Sequence, residues 1–110
     1  KRVNYTGLLD NPFYEIAKRQ YGNTSGAMLT IDLADKASAL RFIDRLKVIH
    51  RASNLFDNRS LAIHTASTIF GTFSGSQRRA MDVLDTTIRI SVGLEHVDDL
   101  YEDIVQAVQE

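Results

Sequence analysis

The sequence predicts an α/β (α+β sandwich) fold, in which a small, mostly antiparallel sheet is covered on one face by helices. Two segments alternate apolar with polar residues, as half-buried strands do, and several others place apolar residues at the spacing of amphipathic helices. Their order is helix, strand, helix, two or three short strands, helix, strand, helix. The 110 residues are 44% hydrophobic and 25% charged, the composition of one ordinary globular domain.

The first predicted helix covers residues 12–21. Asn11 can accept hydrogen bonds from its free amides, Pro12 suits its first position, and Gly22 ends it. After a polar loop, residues 27–33 alternate apolar and polar side chains. This alternation predicts a half-buried strand.

A second helix is predicted after Asp35, whose carboxylate can cap it. Two short strands are expected next, at residues 48–52 and 61–64, on either side of a turn with Asp57 and Asn58. The apolar positions of this second helix fall at i, i+3, i+4 and i+7: Ala39, Phe42, Ile43 and Leu46.

A capping box, Ser74 with Gln77, predicts a short helix at residues 75–83. Residues 88–92 alternate again and predict the second clear strand, which Gly93 ends. The last helix begins near Asp98 and Asp99, where the helix dipole favours carboxylates. Its apolar stripe consists of Val97, Leu100, Tyr101, Ile104 and Val108.

Composition excludes several classes of function. Thirteen Lys and Arg against fourteen Asp and Glu leave a formal charge of −1, so no overall positive field would attract nucleic acid or anionic lipid. Because there is no cysteine, disulfides, thiolate metal sites and cysteine nucleophiles are excluded, and we expect a cytoplasmic protein. No apolar run exceeds three residues, so we predict no membrane segment.

The histidines and the carboxylates of the last helix are interpreted as structural and not as functional sites. The three histidines, at positions 50, 64 and 96, match no zinc spacing, so we predict no metal site. The carboxylates of the last helix are predicted to form an exposed helix face and not a catalytic dyad. They are Asp98, Asp99, Glu102 and Asp103.

Arg89 is the candidate binding residue. It lies on the strand face opposite Ile88 and Ile90, so its guanidinium leaves the sheet on the side away from the core. A guanidinium can hold a carboxylate or phosphate through two parallel hydrogen bonds. An arginine on an exposed strand face is more often only solvated, so spacing alone leaves both interpretations open.

Four ordered motifs carry a resemblance to a known family. Residues 88–95 (IRISVGLE), followed by 97–100 (VDDL), resemble the carboxyl end of the pyridoxal-phosphate-dependent transsulfuration enzymes of Cys/Met metabolism. This family includes O-acetylhomoserine sulfhydrylases, cystathionine gamma-synthases and methionine gamma-lyases. Residues 3–8 (VNYTGL), 54–57 (NLFD) and 60–68 (SLAIHTAST) resemble further stretches of the family in the same order.

The resemblance implies roles for two residues. Arg89 falls at the position that binds the substrate's α-carboxylate, and Asn54 falls at a position that lines the substrate pocket. Residues 1–110 are then the small carboxyl-terminal domain of a fold-type I enzyme, and residues 1–22 are its connection to a large domain. That large domain carries the Schiff-base lysine and the other groups that bind pyridoxal phosphate, so we predict no catalytic or cofactor-binding residue in this chain.

The expected partners follow from the same resemblance. They are the large domain and an amino-acid substrate, and the chain alone should be inactive. We also expect self-association through apolar residues near the start, namely Tyr5, Leu8, Leu9 and Phe13. The alternative is a free-standing α/β interaction or ligand-sensing module that shares only ancestry with the enzymes.

Overall fold

A computed structural model describes residues 2–109 of the chain. The strands are β1 (Arg2–Asn4), β2 (Met28–Asp32), β3 (His50–Arg51), β4 (Leu61–His64) and β5 (Thr87–Ser91). The helices are α1 (Tyr14–Tyr21), α2 (Lys36–Arg45), α3 (Gly75–Ala80) and α4 (Val97–Val108), and one 3-10 turn follows β4 at Thr65–Ser67.

The five strands form one mixed sheet in the order β1-β2-β5-β4-β3. Three of its four pairings are antiparallel, and only β3 and β4 run parallel. The sheet class predicted from the sequence is therefore confirmed. β1 was not predicted, because three residues are too few for a period of two to stand out.

The core lies between the sheet and the helices α2 and α4. On β5 the side chains of Ile88 and Ile90 point to this core and are at most 1% exposed. Phe42 and Ile43 of α2 and Leu100 of α4 are buried with them. The predicted apolar stripes of both helices therefore face the sheet, except that Val97 and Tyr101 lie on the solvent side of α4.

Two helix starts follow the predicted chemistry. The Asp35 carboxylate accepts a hydrogen bond from the Ser38 amide at 2.7 Å, and the Ser74 and Gln77 capping box is formed. The Asn11 side chain accepts from the Phe13 amide at 3.0 Å, but that bond closes a turn, so α1 begins at Tyr14 and not at residue 12. α3 ends at Ala80 and not at residue 83, because Asp82 takes a left-handed conformation, with φ of 57°.

Asp103 corrects a prediction. It was expected on an exposed helix face, but it is 3% exposed and its carboxylate accepts hydrogen bonds from three consecutive backbone amides. The donors are Lys47 at 2.8 Å, Val48 at 3.0 Å and Ile49 at 2.9 Å. Asp103 thus fixes α4 to the segment that leads into β3.

In the part of the chain that the structure describes, none of the helices has the length and apolar character needed to cross a bilayer.

Candidate functional site

Arg89 lies at the middle of β5, the central strand of the sheet. Its direct neighbours across the strands are Thr30 of β2 and Ile63 of β4. Because side chains alternate along a strand, Arg89 projects from the face opposite Ile88 and Ile90. The predicted orientation is therefore confirmed.

A row of three polar residues crosses this face of the sheet. Asn4 of β1 pairs with Thr30 of β2, and Thr30 pairs with Arg89 of β5. Among the described residues, neither the Thr30 hydroxyl nor the Arg89 guanidinium has a hydrogen-bond partner. Asn4 uses its side-chain oxygen, which accepts from the Asn11 amide at 2.8 Å, and its own NH₂ group stays available. We call Asn4, Thr30 and Arg89 the donor row.

The donor row lines one side of an open cavity of about 220 Å³. The other lining residues are Tyr5, Thr6, Met28 and Leu29, so no carboxylate side chain is among the residues described there. The nearest acidic residue on the same face of β2, Asp32, is engaged by the Arg2 guanidinium and the Thr87 hydroxyl. Among the described residues, no carboxylate therefore forms an ion pair with Arg89.

The wall of the cavity is a fixed turn. The Tyr5 hydroxyl donates to the Gly26 carbonyl at 2.9 Å, and the Thr6 hydroxyl donates to the Ser25 carbonyl at 3.3 Å. A Cβ at Gly7 would lie 2.5 Å from the Tyr5 ring, so only glycine allows this close approach. These contacts hold the segment after β1 against the loop before β2.

Ser91 lies on the same face of β5 as Arg89, two residues later in the strand. It is 2% exposed, and its hydroxyl is the one buried side-chain polar atom without a hydrogen-bond partner within residues 2–109. An unpaired buried hydroxyl is costly, and such groups concentrate where function or a missing partner requires them.

The structure places Asn54 in the exposed loop between β3 and β4. Its amide donates to the Asp57 carboxylate at 3.1 Å, and its oxygen accepts from the Leu55 amide at 2.9 Å. In the same turn Phe56 has a φ of 54°, which few residues other than glycine adopt. Asn54 and Arg89 thus belong to different elements, and the substrate contact of Asn54 stays a prediction.

Asn4 and Thr30 were not predicted as site residues. The alternation of residues 27–33 already placed Thr30 on the polar face of its strand. Only the register of β2 against β5 shows that this face continues into Arg89.

The lysines that the structure describes do not fit a pyridoxal phosphate site. Within residues 2–109 they are Lys18, Lys36 and Lys47, all exposed, and none lines the Arg89 cavity. Lys47 borders a different cavity, which it shares with Asp99 and Glu102, whose charges would repel the cofactor's phosphate. None of these three lysines therefore shares a cavity with groups that suit the cofactor's phosphate.

The family model described as "Cys/Met metabolism PLP-dependent enzyme" matches residues 1–109. O-acetyl-L-homoserine sulfhydrylase 1 of Thermus thermophilus is 40% identical over 107 residues, which are 96% of this chain and 25% of that protein. L-methionine gamma-lyase of Pseudomonas putida is 34% identical over 108 residues, 97% of this chain and 27% of that protein. The chain spans about a quarter of the length of these relatives.

Two solved structures have the same fold over nearly the whole chain. A protein described as an O-acetylhomoserine (thiol)-lyase of Campylobacter jejuni superposes with a TM-score of 0.90 at 33% identity, covering 100% of this chain and 26% of that one. Its crystal structure contains N'-pyridoxyl-lysine-5'-monophosphate. An O-acetylhomoserine sulfhydrylase of Wolinella succinogenes superposes with a TM-score of 0.81 at 39% identity, covering 99% of this chain and 28% of that one.

Proposed function

This chain belongs to the Cys/Met metabolism PLP-dependent enzyme family, as its motifs predicted, and we propose that it supplies the substrate-carboxylate site of such an enzyme. In this proposal Arg89 binds the α-carboxylate of an amino-acid substrate. A second segment of the enzyme, the large domain, holds pyridoxal phosphate and its lysine. The chain alone is inactive, and the complete enzyme acts in the cytoplasm.

The observation that carries the proposal is the unneutralised guanidinium of Arg89 in a cavity. Arg89 is half-buried, its cavity has no acidic lining among the described residues, and polar side chains lie directly beside it. A carboxylate would accept two parallel hydrogen bonds from the guanidinium, and a partly dry cleft strengthens such charge-assisted bonds. Solvation alone would not require a cavity with this lining.

The names of the relatives support the substrate class that we propose. Their names include sulfhydrylases, which replace a substituent of an acylated homoserine, and a lyase acting on L-methionine. Both substrate types are α-amino acids, so both carry the carboxylate that Arg89 would hold. We propose an elimination or replacement at the β or γ carbon of such an amino acid.

The contribution of Arg89 to the reaction is orientation. Two hydrogen bonds from the guanidinium hold both oxygens of the substrate carboxylate and so restrict the rotation of the substrate relative to the reacting groups. Because β5 is hydrogen-bonded to strands on both sides, the base of this arginine is held rigidly. Lysine at this position would keep the charge but lose the fork of donors.

The test uses the full-length enzyme that contains this chain. We expect Arg89→Lys and Arg89→Ala to lower kcat/KM for amino-acid substrates by roughly tenfold to a hundredfold, because a charge-assisted hydrogen bond contributes about 1.5–3 kcal/mol. The melting temperature and the absorbance of the bound cofactor should stay unchanged. Near-normal kinetics in both variants, or activity lost only together with stability, would refute the role.

A further inference from the structure

We infer that Thr30 and Asn4 complete, together with Arg89, the set of donors that receives the substrate's carboxylate. This inference rests on the function proposed above and extends it from one residue to the whole donor row. The starting point is the register of the sheet, which brings three polar side chains from three different strands into one line.

The cavity lies on only one side of Arg89. On the β4 side its neighbour is Ile63, which is 5% exposed and offers no polar atom. On the β2 side its neighbour is Thr30, which is half-buried and lines the cavity with it. Directly opposed residues on antiparallel strands have Cβ atoms roughly 4.5–5.5 Å apart. An anion bound to the guanidinium within the cavity would therefore lie next to Thr30.

The number of available donors suits a carboxylate. A carboxylate has two oxygens that together accept about four hydrogen bonds. A guanidinium that donates two parallel hydrogen bonds to it uses two of these four positions. The Thr30 hydroxyl has no partner among the described residues and can donate to a third. The NH₂ group of Asn4 can donate to the fourth. The side-chain amide of Asn11 already donates to the Asn4 oxygen, so the Asn4 NH₂ group faces away from Asn11.

The pairing of the strands makes the donor row rigid. Each of its members lies within a strand that is hydrogen-bonded on at least one side, and the turn that follows Asn4 is held to residues 25 and 26. Thr30 and Asn4 therefore need no rearrangement to meet a ligand. Prearranged donors lose little entropy on binding.

The experiment titrates the 110-residue chain with acetate, a carboxylate without other recognition groups. Two-dimensional NMR follows the Arg89 Nε–Hε signal, identified by its absence in Arg89→Lys, and sodium chloride serves as the control for ionic strength. The variants are Thr30→Val, which removes the hydroxyl and keeps the shape, Thr30→Ser, which restores a hydroxyl, and Asn4→Ala. Thr72→Val is the matched control, because Thr72 is exposed and lies outside the cavity.

We expect a saturable shift of the Arg89 signal with acetate and none of that size with chloride. Thr30→Val and Asn4→Ala should each raise the acetate Kd by about twofold to tenfold, the effect of losing one neutral hydrogen bond. Thr30→Ser should stay within about twofold of the unsubstituted chain, and Thr72→Val should leave the Kd unchanged.

The outcomes separate this inference from the proposed function. If the unsubstituted chain gives a saturable shift of the Arg89 signal and Thr30→Val and Asn4→Ala bind acetate with the same Kd, the donor row is wrong and the role of Arg89 stands. If the unsubstituted chain shows no saturable shift, the donor row is also refuted, and the kinetics of the Arg89 variants in the full-length enzyme still decide the proposed function. An equal loss in Thr72→Val would show that the effect is not local, and would likewise overturn the inference.

Discussion

Glu95 holds Ser60 through both the backbone and the side chain of that serine. The Ser60 amide donates to the Glu95 carboxylate at 2.8 Å, and the Ser60 hydroxyl donates to it at 2.8 Å as well. The same hydroxyl accepts from the Gly93 amide at 2.8 Å. Although burial alone would raise the pKa of Glu95, the hydrogen bonds from Ser60 and from the Glu95 backbone, together with the charge of His50, hold that pKa below the usual glutamate value. The start of β4 and the end of β5 are thus joined.

Glu95→Gln should destabilise the chain. A glutamine keeps one acceptor but turns an NH₂ group toward the Ser60 donors, so we expect the free energy of unfolding to fall by about 1–2 kcal/mol at neutral pH. Urea denaturation measures this change. The control is Glu102→Gln, because Glu102 is exposed and has no side-chain hydrogen bond among the described residues. Equal stability of the two variants would contradict the role of the Glu95–Ser60 contact.

Asp103 predicts how stability depends on pH. Burial pushes the pKa of its carboxyl upward, but hydrogen bonds from the amides of Ile49, Lys47 and Val48 outweigh burial and lower that pKa below the ordinary value. A group whose folded pKa is lowered contributes its full stabilisation above its unfolded pKa, roughly 3.9, and loses it as the pH falls through the folded pKa.

Asp103→Asn should therefore cost about 2–3 kcal/mol at neutral pH, and the difference from the unsubstituted chain should shrink below about pH 4. Denaturation at several pH values tests this expectation. Asp99→Asn, at an exposed position on the same helix, should cost less than about 1 kcal/mol. A loss for Asp103→Asn that stays constant down to acid pH would contradict the ionised carboxylate.

Phe56→Gly should stabilise the chain. Phe56 has a φ of 54° and is 75% exposed, so its side chain adds strain while burying little surface. A left-handed conformation costs a residue with a side chain about 1–2 kcal/mol, and glycine's greater freedom when unfolded costs about 0.5–1 kcal/mol. We expect a net gain of about 0.5–1 kcal/mol by denaturation. Asp82→Gly is the control at φ of 57°, where a gain is not expected because aspartate tolerates this conformation.

The chain alone should not retain pyridoxal phosphate. The three described lysines are exposed, and the one that borders a cavity, Lys47, has acidic neighbours. After incubation with the cofactor and dialysis, we expect no stoichiometric visible absorbance band. A retained band that disappears in Lys47→Arg would show a specific site in this chain and would contradict our placement of the cofactor in the large domain.

We expect the chain to associate with itself through its first residues. Leu9 is 83% exposed and Phe13 is 59% exposed, whereas Tyr5, also predicted on this surface, is half-buried and bonded to Gly26. Light scattering at high concentration should show a mass above the monomer. The double substitution Leu9→Ser with Phe13→Ser should weaken association by about tenfold or more. Leu94→Ser, at a side chain 81% exposed elsewhere, is the control.

Periodicity predicted the elements that a long amphipathic pattern defines. α2 and α4 each have apolar residues at helical spacing, and β2 and β5 alternate, because these side chains meet the core over several turns or residues. β1 escaped prediction because it is short and gains its hydrogen bonds from β2, whose paired residues lie 26 to 30 positions further along the chain.

Asp103 and Thr30 show why the remaining features could not be predicted. A carboxylate in an acidic helix is ordinarily exposed, and the amides that bind Asp103 lie 54 or more positions earlier in the chain. Thr30 becomes a candidate binding residue only when the register of β2 against Arg89 is known. The role suggested for Arg89, in contrast, came from a local motif, which a sequence displays directly.

The strand order has a consequence for synthesis of the protein. Of the five described strands, β5 leaves the ribosome last, yet it lies between β2 and β4 and pairs with both. Until it emerges, a nascent chain can form the β1–β2 pair and the β3–β4 pair only as separate pieces. Long-range pairing of this kind is slow and leaves strand edges open. The sheet is therefore completed only after β5 has been translated, and a message truncated before Thr87 would yield two unjoined strand pairs without the Arg89 cavity.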